Sequence, residues 1–196
     1  MKVALKCYQD MFAEVQDRVN NKVAAINFPE KYRIVFAELP PWHSLNFFDN
    51  LAEMGWNFVY ESYGYHQPKP PDLSKVSDPV EKLARLSRNF IFNLHEEAKQ
   101  DGIDNPLVER YLKVARGWKV DGFFLHPLLS CRPASAGLRS VQNFLQKRLD
   151  VPTLWVEGDI IDKRVFNPQE TLARAEAFEQ TMDHYKKVRQ SKGLDW

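Results

Sequence analysis

Apolar and polar positions follow two rhythms along this chain, and the switches between them mark out its elements. Across residues 2–20, Cys7, Met11, Val15 and Val19 recur every four residues. Val3, Tyr8 and Phe12 lie beside them, and Asp10, Glu14, Gln16, Asp17 and Arg18 fill the gaps. That spacing predicts a helix with one apolar face, and on that face Cys7 reads as a packed core residue. After a connector over 21–32, the run RIVFAE at 33–38 has the branched and aromatic composition of a buried strand. The two prolines of LPPWH stop it. Ser44 reads as the N-cap of a helix over 45–54, Gly55 as its C-terminal stop, and WNFVYE at 56–61 as a second strand.

Ser62 to Pro79 is a long, proline-bearing irregular segment, of the kind that is usually functional or mobile. Val80, Leu83, Ala84, Leu86, Phe90, Ile91 and Leu94 predict a helix over 80–99, which Asp101-Gly102 and Asn105-Pro106 break. A second helix runs over 106–117. The strand DGFFLHP (121–127) follows, then a helix over 134–149, the strand TLWVE (153–157), a loop, and a closing helix over 168–190. Apolar strands alternating with helices imply a parallel sheet covered on both faces. The simplest topology is α/β: an open, doubly wound, flavodoxin-like sheet of about four strands. The expected division is an N-terminal helix and connector, 1–32, and an α/β domain, 33–196.

Composition narrows the classes. In 196 residues, 27 Lys and Arg balance 26 Asp and Glu, a net charge of +1. No basic excess calls for nucleic acid or an anionic membrane. Apolar residues are 44% and mean hydropathy is −0.48, which gives a core and no run long enough for a membrane span. Two distant cysteines, Cys7 and Cys131, exclude a disulfide scaffold and a four-Cys zinc site, and a reducing, cytoplasmic setting is the default. There is no GxGxxG and no GxxxxGK[ST], so neither glycine-built phosphate site is expected.

In a parallel sheet, chemistry gathers beyond the carboxyl ends of the strands. Those ends are Glu38 to His43, Glu61 to Tyr63, His126 to Pro133, and Glu157 to Asp159. Cys131, between a strand and a helix start and beside Arg132, is set up as a thiolate. It could be a nucleophile, a redox thiol or a cluster ligand; it could equally be a small buried residue. His126 and His43 read either as hydrogen-bonded core histidines or as groups that orient a ligand; His66, His95 and His184 read as surface positions. Glu157, Asp159 and Asp162 with Arg164 fit a loop braced by an Arg–carboxylate pair better than a metal or acid–base site. Tyr60, Tyr63 and Tyr65 fit an aromatic lid or an ordered surface loop.

The strings DGFFLHPLLSCRPASAG and VPTLWVEGDIIDKRVFNPQETLARAEAF together resemble the C-terminal part of subunits in the 2-hydroxyacyl-CoA dehydratase and benzoyl-CoA reductase family. The shared features are Ser130-Cys131-Arg132-Pro133, Val151-Pro152-Thr153, Glu157-Gly158-Asp159, Asp162, Arg164, and Arg174 with Glu176-Ala177-Phe178. YRIVFAELPPWHSLNFFDNLAEMGWNFVYE resembles the start of the second domain in D-component subunits of 2-hydroxyglutaryl-CoA dehydratase.

The resemblance implies two flavodoxin-like domains per subunit, with an iron–sulfur cluster, usually 4Fe–4S, held between them. It also implies a partner subunit, a separate ATP-hydrolysing activator that delivers low-potential electrons, and a CoA thioester as substrate. It makes Cys131 a cluster ligand, with Arg132 and His126 as cofactor-side neighbours. Trp42, His43, Tyr63, Tyr65 and Ser130 become candidate substrate contacts. One thiolate cannot hold a cluster that takes four, so the chain is expected to carry no cluster alone and to depend on a missing domain or partner. The alternative is a non-catalytic binding or assembly module of the same fold. A sheet edge built to meet a partner is further expected to expose Trp42, Tyr63, Tyr65 and Leu128.

Overall fold

The computed structural model describes residues 2–24, 26–61, 71–87, 106–194 and 196. In chain order they form α1 (Lys2–Asn20), β1 (Tyr32–Ala37), α2 (Asn46–Glu53), β2 (Trp56–Glu61), a helical stretch α3 over 79–87, and α4 (Pro106–Gly117). These are followed by β3 (Gly122–Leu125), α5 (Arg132–Ser135), α6 (Leu138–Leu149), β4 (Thr153–Trp155) and α7 (Pro168–Ser191). The remainder of the helix expected over 80–99 lies outside the described residues, as does the core of the Ser62–Pro79 segment.

The four strands form one sheet in the order β2-β1-β3-β4, and every pairing is parallel. This is the doubly wound, flavodoxin-like arrangement that alternating strands and helices imply. Pleating divides the sheet's side chains between two cores. Val35, Ala37, Phe123 and Leu125 face Val108, Leu112, Val141 and Leu145 of α4 and α6. Tyr32, Ile34, Phe36 and Phe124 face Phe47 and Leu51 of α2 and Phe178 and Met182 of α7. Both neighbouring residue sets of β1 and β3 are therefore apolar, which is why these strands read as unbroken hydrophobic runs.

The N-terminal end of the sheet is fastened by Arg189 of α7, whose side chain is fully buried. Its guanidinium donates to Asp121 Oδ1 (3.2 Å), to the carbonyl of Asp150 (3.0 Å) and to that of Trp196 (3.2 Å). Asp121 Oδ2 in turn accepts from the backbone N–H of Arg33 (3.0 Å). A buried guanidinium needs such a set of acceptors to offset its lost hydration.

Four expectations change. Cys7 is exposed, not core: every residue of α1 from Val3 to Asn20 is exposed, Tyr8 at 71% and Phe12 at 70%. Periodicity fixes that a helix has an apolar face, not that the face is covered. Ser44 is not an N-cap. It ends the 3₁₀ turn Trp42–Ser44, Leu45 precedes α2, and the Ser44 hydroxyl pairs with His43 Nδ1 (2.8 Å). The expected 134–149 helix is two helices separated at Ala136-Gly137, where the Leu107 side chain occupies the space of a Gly137 β-carbon. The first strand is Tyr32–Ala37, one residue earlier at each end than the expected 33–38. Gly55 does close α2, at φ +86°.

Candidate functional site: the carboxyl edge of β1 and β3

Beyond the last residues of β3 and β4 the two segments stay paired. Leu128 forms a parallel bridge with Gly158, Gly158 N–H donates to Pro127 O (3.2 Å), and Leu129 N–H donates to Gly158 O (2.9 Å). This holds the turn 128–131 against the loop that begins at Glu157. Leu128 is consequently buried, at 3% exposure, against the expectation that it would be an open edge residue; its neighbour Leu129 is exposed instead. Extended backbone sends successive side chains to opposite faces, so a one-residue difference in register reverses the outcome.

Asp159 is the organiser of that loop. Its Oδ1 accepts from the N–H groups of Ile161 (3.0 Å) and Asp162 (3.2 Å), and its Oδ2 from that of Ser130 (3.2 Å). Hydrogen bonding to the Ser130 side chain first, and then to Ile161 and Asp162 N–H, holds the Asp159 carboxyl well below the usual carboxylate range. Asp162 pairs with Arg164 through two oxygens, Nε to Oδ1 at 2.9 Å and Nη2 to Oδ2 at 2.6 Å, which with the Arg164 N–H brings its carboxyl down to about 2. The braced-loop reading of these carboxylates therefore accounts for both Asp159 and Asp162. Among the described residues no group of three or more His, Cys, Asp and Glu is arranged to hold a metal.

Cys131 is half-buried and carries a free thiol. Its backbone is fixed from both sides: its N–H donates to Leu128 O (3.3 Å), and the Ser135 hydroxyl donates to Leu128 O (2.9 Å) and Cys131 O (3.1 Å). The helix it precedes, α5, is a single turn, and Arg132 is exposed. Ser130 is exposed and meets the site through Asp159.

His126 is fully buried at the end of β3. Its Nδ1 lies 2.8 Å from Leu39 O. A carbonyl only accepts, so Nδ1 carries the proton and Nε2 is a bare acceptor. Among the described residues Nε2 has no hydrogen-bond partner, and it faces Gly158 so closely that a β-carbon there would lie 2.5 Å away. Phe36 and Phe166 pack on the ring. Burial pushes the imidazole below its ordinary value, so it is held neutral. His43 is half-buried; its Nε2 donates to Asp159 O (3.2 Å) and its ring meets Phe166. The structure thus brings together His43, His126, Ser130 and Asp159, with Cys131 on the adjoining turn. Trp42 is exposed at 55%. Tyr63 and Tyr65 lie outside the described residues.

Glu38 is the residue to which sequence reading gave no role. It directly follows β1, at φ +80°, a left-handed conformation that costs a non-glycine residue about 1 kcal/mol or more. It is 9% exposed, and burial raises its carboxyl above the ordinary value while Arg110 opposes the shift. Beside it is a cavity of about 480 Å³ walled by Phe36, Leu39, Leu45, Phe48 and Phe58, with Trp42 at its side. A carboxylate at a strand end usually reads as solvated, and no residue type in FAELPP signals a left-handed glutamate.

An all-parallel α/β sheet with its polar constellation on the carboxyl edge defines the class of this protein. A family model described as 2-hydroxyglutaryl-CoA dehydratase, D-component, matches residues 2–182, and the chain belongs to that family. It is 24% identical over 184 residues to the alpha subunit of (R)-2-hydroxyglutaryl-CoA dehydratase from Acidaminococcus fermentans, covering 92% of this chain and 35% of the relative. It is 26% identical over 191 residues to a subunit of benzoyl-CoA reductase from Thauera aromatica, covering 92% and 42%. It is 22% identical over 188 residues to the alpha subunit of (R)-2-hydroxyisocaproyl-CoA dehydratase from Clostridioides difficile, covering 95% and 43%. The chain therefore spans well under half the length of each of these relatives. Among the described residues no helix is long and apolar enough to cross a membrane.

Proposed function

We propose that this chain is the flavodoxin-like sheet domain of a CoA-thioester dehydratase or reductase subunit, inactive alone, and that it contributes Cys131 to an iron–sulfur cluster completed elsewhere. The observation that carries this is the setting of Cys131: a half-buried free thiol on a turn whose backbone is held on both sides, at the carboxyl edge of a parallel sheet. A 4Fe–4S cluster takes four ligands. The described residues offer no such set, so by themselves they do not fit the cluster, and the other ligands belong to a further domain or partner subunit. Names of the relatives support a CoA thioester as the substrate class.

Within this reading the chain's own residues do three things. Asp159 and Ser135 fix the turn that bears Cys131, so a ligand thiolate would need little reorganisation. Arg132 supplies positive charge next to it. His126 and His43 tie that turn's loop to the end of β1 and so to the cavity beside Glu38.

The test is anaerobic co-expression with the neighbouring partner subunit and its ATP-dependent activator, followed by iron and sulfide analysis of wild type and Cys131→Ala. Iron recovered only with the partner, and lost or diminished in Cys131→Ala, is the expected result. Full iron and turnover in Cys131→Ala would remove the ligand assignment. An iron-free complex under every pairing would favour the non-catalytic module.

A further inference from the structure

His126 Nε2 is a fully buried acceptor that meets no donor among the described residues, and the residue pressed against it is Gly158. The opposite ring nitrogen is committed, its proton going to Leu39 O at 2.8 Å. Gly158 is committed as well. Its N–H donates to Pro127 O (3.2 Å), its carbonyl accepts from Leu129 N–H (2.9 Å), and it is bridged to Leu128. Those are the bonds that hold the turn 128–131, with half-buried Cys131 at its end. A neutral ring fits this packing, because a bare nitrogen against Gly158 forgoes only one hydrogen bond. A protonated ring does not. Its Nε2–H would be a buried cationic donor without an acceptor among the described residues, a far costlier state. Relief requires Gly158 to move, and its bonds to Pro127 and Leu129 go with it.

We propose that His126 is an acid-operated latch on the Cys131 turn: a proton at Nε2 displaces Gly158, undoes its pairing with Leu128 and Leu129, and bares the Cys131 thiol while the sheet stays folded. The latch belongs to this chain's own turn and operates whether or not Cys131 ligates a cluster. Burial holds the closed ring below the ordinary 6.5, and an opened, hydrated ring returns toward that value, so falling pH favours the open form. Phe36 and Phe166, which pack on the ring, carry no charge. The titratable groups around it are Asp159 on the Gly158 loop, His43 on the turn after β1, and Glu38, which precedes Leu39. Asp159 stays ionised, its carboxyl being held well below the usual carboxylate range. His43 already donates from Nε2 to Asp159 O, and a proton on its Nδ1 would face the Ser44 hydroxyl, which can accept it. Burial raises the Glu38 carboxyl, so acid favours its closed form. None of the three reproduces the opening.

The test uses the full chain at pH 7.5 and pH 5, with circular dichroism establishing that it is folded at both. Amide exchange by NMR, corrected for intrinsic rates, compares Leu129 N–H, which donates to Gly158 O, with Val156 N–H, which donates to Leu125 O. Modification by 2,2′-dipyridyl disulfide, which reacts with thiols at acid pH, compares Cys131 with exposed Cys7 by peptide mass spectrometry. At pH 5 the protection of Leu129 should fall about fivefold or more while Val156 holds, and the Cys131-to-Cys7 rate ratio should rise by a similar factor. His126→Asn keeps an N–H donor near the place of Nδ1 and has no nitrogen to protonate, so both readouts should agree within about twofold at the two pH values. Unchanged Leu129 protection or an unchanged rate ratio in wild type would overturn the latch. So would loss of protection at Leu129 and Val156 together, or a response that persists in His126→Asn. Should that variant not fold, the wild-type imidazole signals decide: the Leu129 change must share the midpoint of the His126 titration, and a mismatch would overturn the assignment.

Discussion

His126 donates its Nδ1 proton to the carbonyl of Leu39 across 2.8 Å, and so joins the turn after β3 to the turn after β1. One face of that link is the loop carrying Cys131; the other is the wall of the apolar cavity. Replacing His126 by Phe keeps the ring contacts with Phe36 and Phe166 but leaves Leu39 O without its donor. A loss of about 1–3 kcal/mol is expected by urea denaturation. The same imidazole sets a pH dependence. Its folded-state value lies below the ordinary 6.5, so its contribution is complete above pH 6.5 and is lost as pH falls through the lowered value. Unfolding free energies at pH 7.5 and pH 5 should differ less in the Phe variant than in wild type.

Gly158→Ala tests the other side of the ring. The added β-carbon would lie 2.5 Å from His126 Nε2 and 3.3 Å from the Phe166 ring. Overpacking of this kind costs about 1–3 kcal/mol. In a His126→Ala background the clash disappears, so the two changes should be strongly non-additive in a double-mutant cycle.

Glu38→Gln should stabilise the chain at neutral pH. Burial raises the Glu38 carboxyl above its ordinary 4.5, so its favourable contribution is present below pH 4.5 and is lost as pH rises through the raised value. Thermal melting should show the Gln variant ahead of wild type at pH 8 and level with it near pH 4.

The cysteines should separate cleanly. Cys7→Ala lies on an exposed helix and should change stability by less than about 0.5 kcal/mol. A water-soluble thiol reagent should modify Cys7 first and half-buried Cys131 more slowly, as followed by mass spectrometry.

Arg189→Ala leaves Asp121 buried without its closest guanidinium partner and strands the carbonyls of Asp150 and Trp196. Removing one member of a buried ion pair costs about 3–5 kcal/mol. Chemical denaturation should register that loss.

What the sequence disclosed follows from which signals are local. RIVFAE, WNFVYE, DGFFLHP and TLWVE announce buried strands by composition, and each lies in the sheet within a residue or two of its expected ends. The link of His126 to Leu39 joins residues 87 positions apart, and nothing in either neighbourhood signals it. Leu128 and Leu129 are chemically identical, so the choice of which is buried depends on the bridge to Gly158. The four-residue spacing of α1 is as regular as that of a packed helix, but it carries no information about a partner. Glu38 is visible in the sequence only as a strand-end carboxylate; its left-handed backbone, and the cavity it lines together with Phe36, Phe48 and Phe58 from other elements, exist only in the folded chain.

The order β2-β1-β3-β4 also bears on how the chain is made. Arg33 and the Asp121 carboxylate that receives its N–H are 88 positions apart, and β1 cannot acquire its second neighbour until β3 has left the ribosome. At about 5–20 residues per second, that is an interval of about 4–18 s. During it β1 has only β2 beside it, and an apolar strand presents open N–H and C=O groups along one side. Newly made chains are therefore at their most adhesive before residue 122 emerges, and conditions that slow elongation across 62–121 should lower the soluble yield more than the same slowing applied after β4.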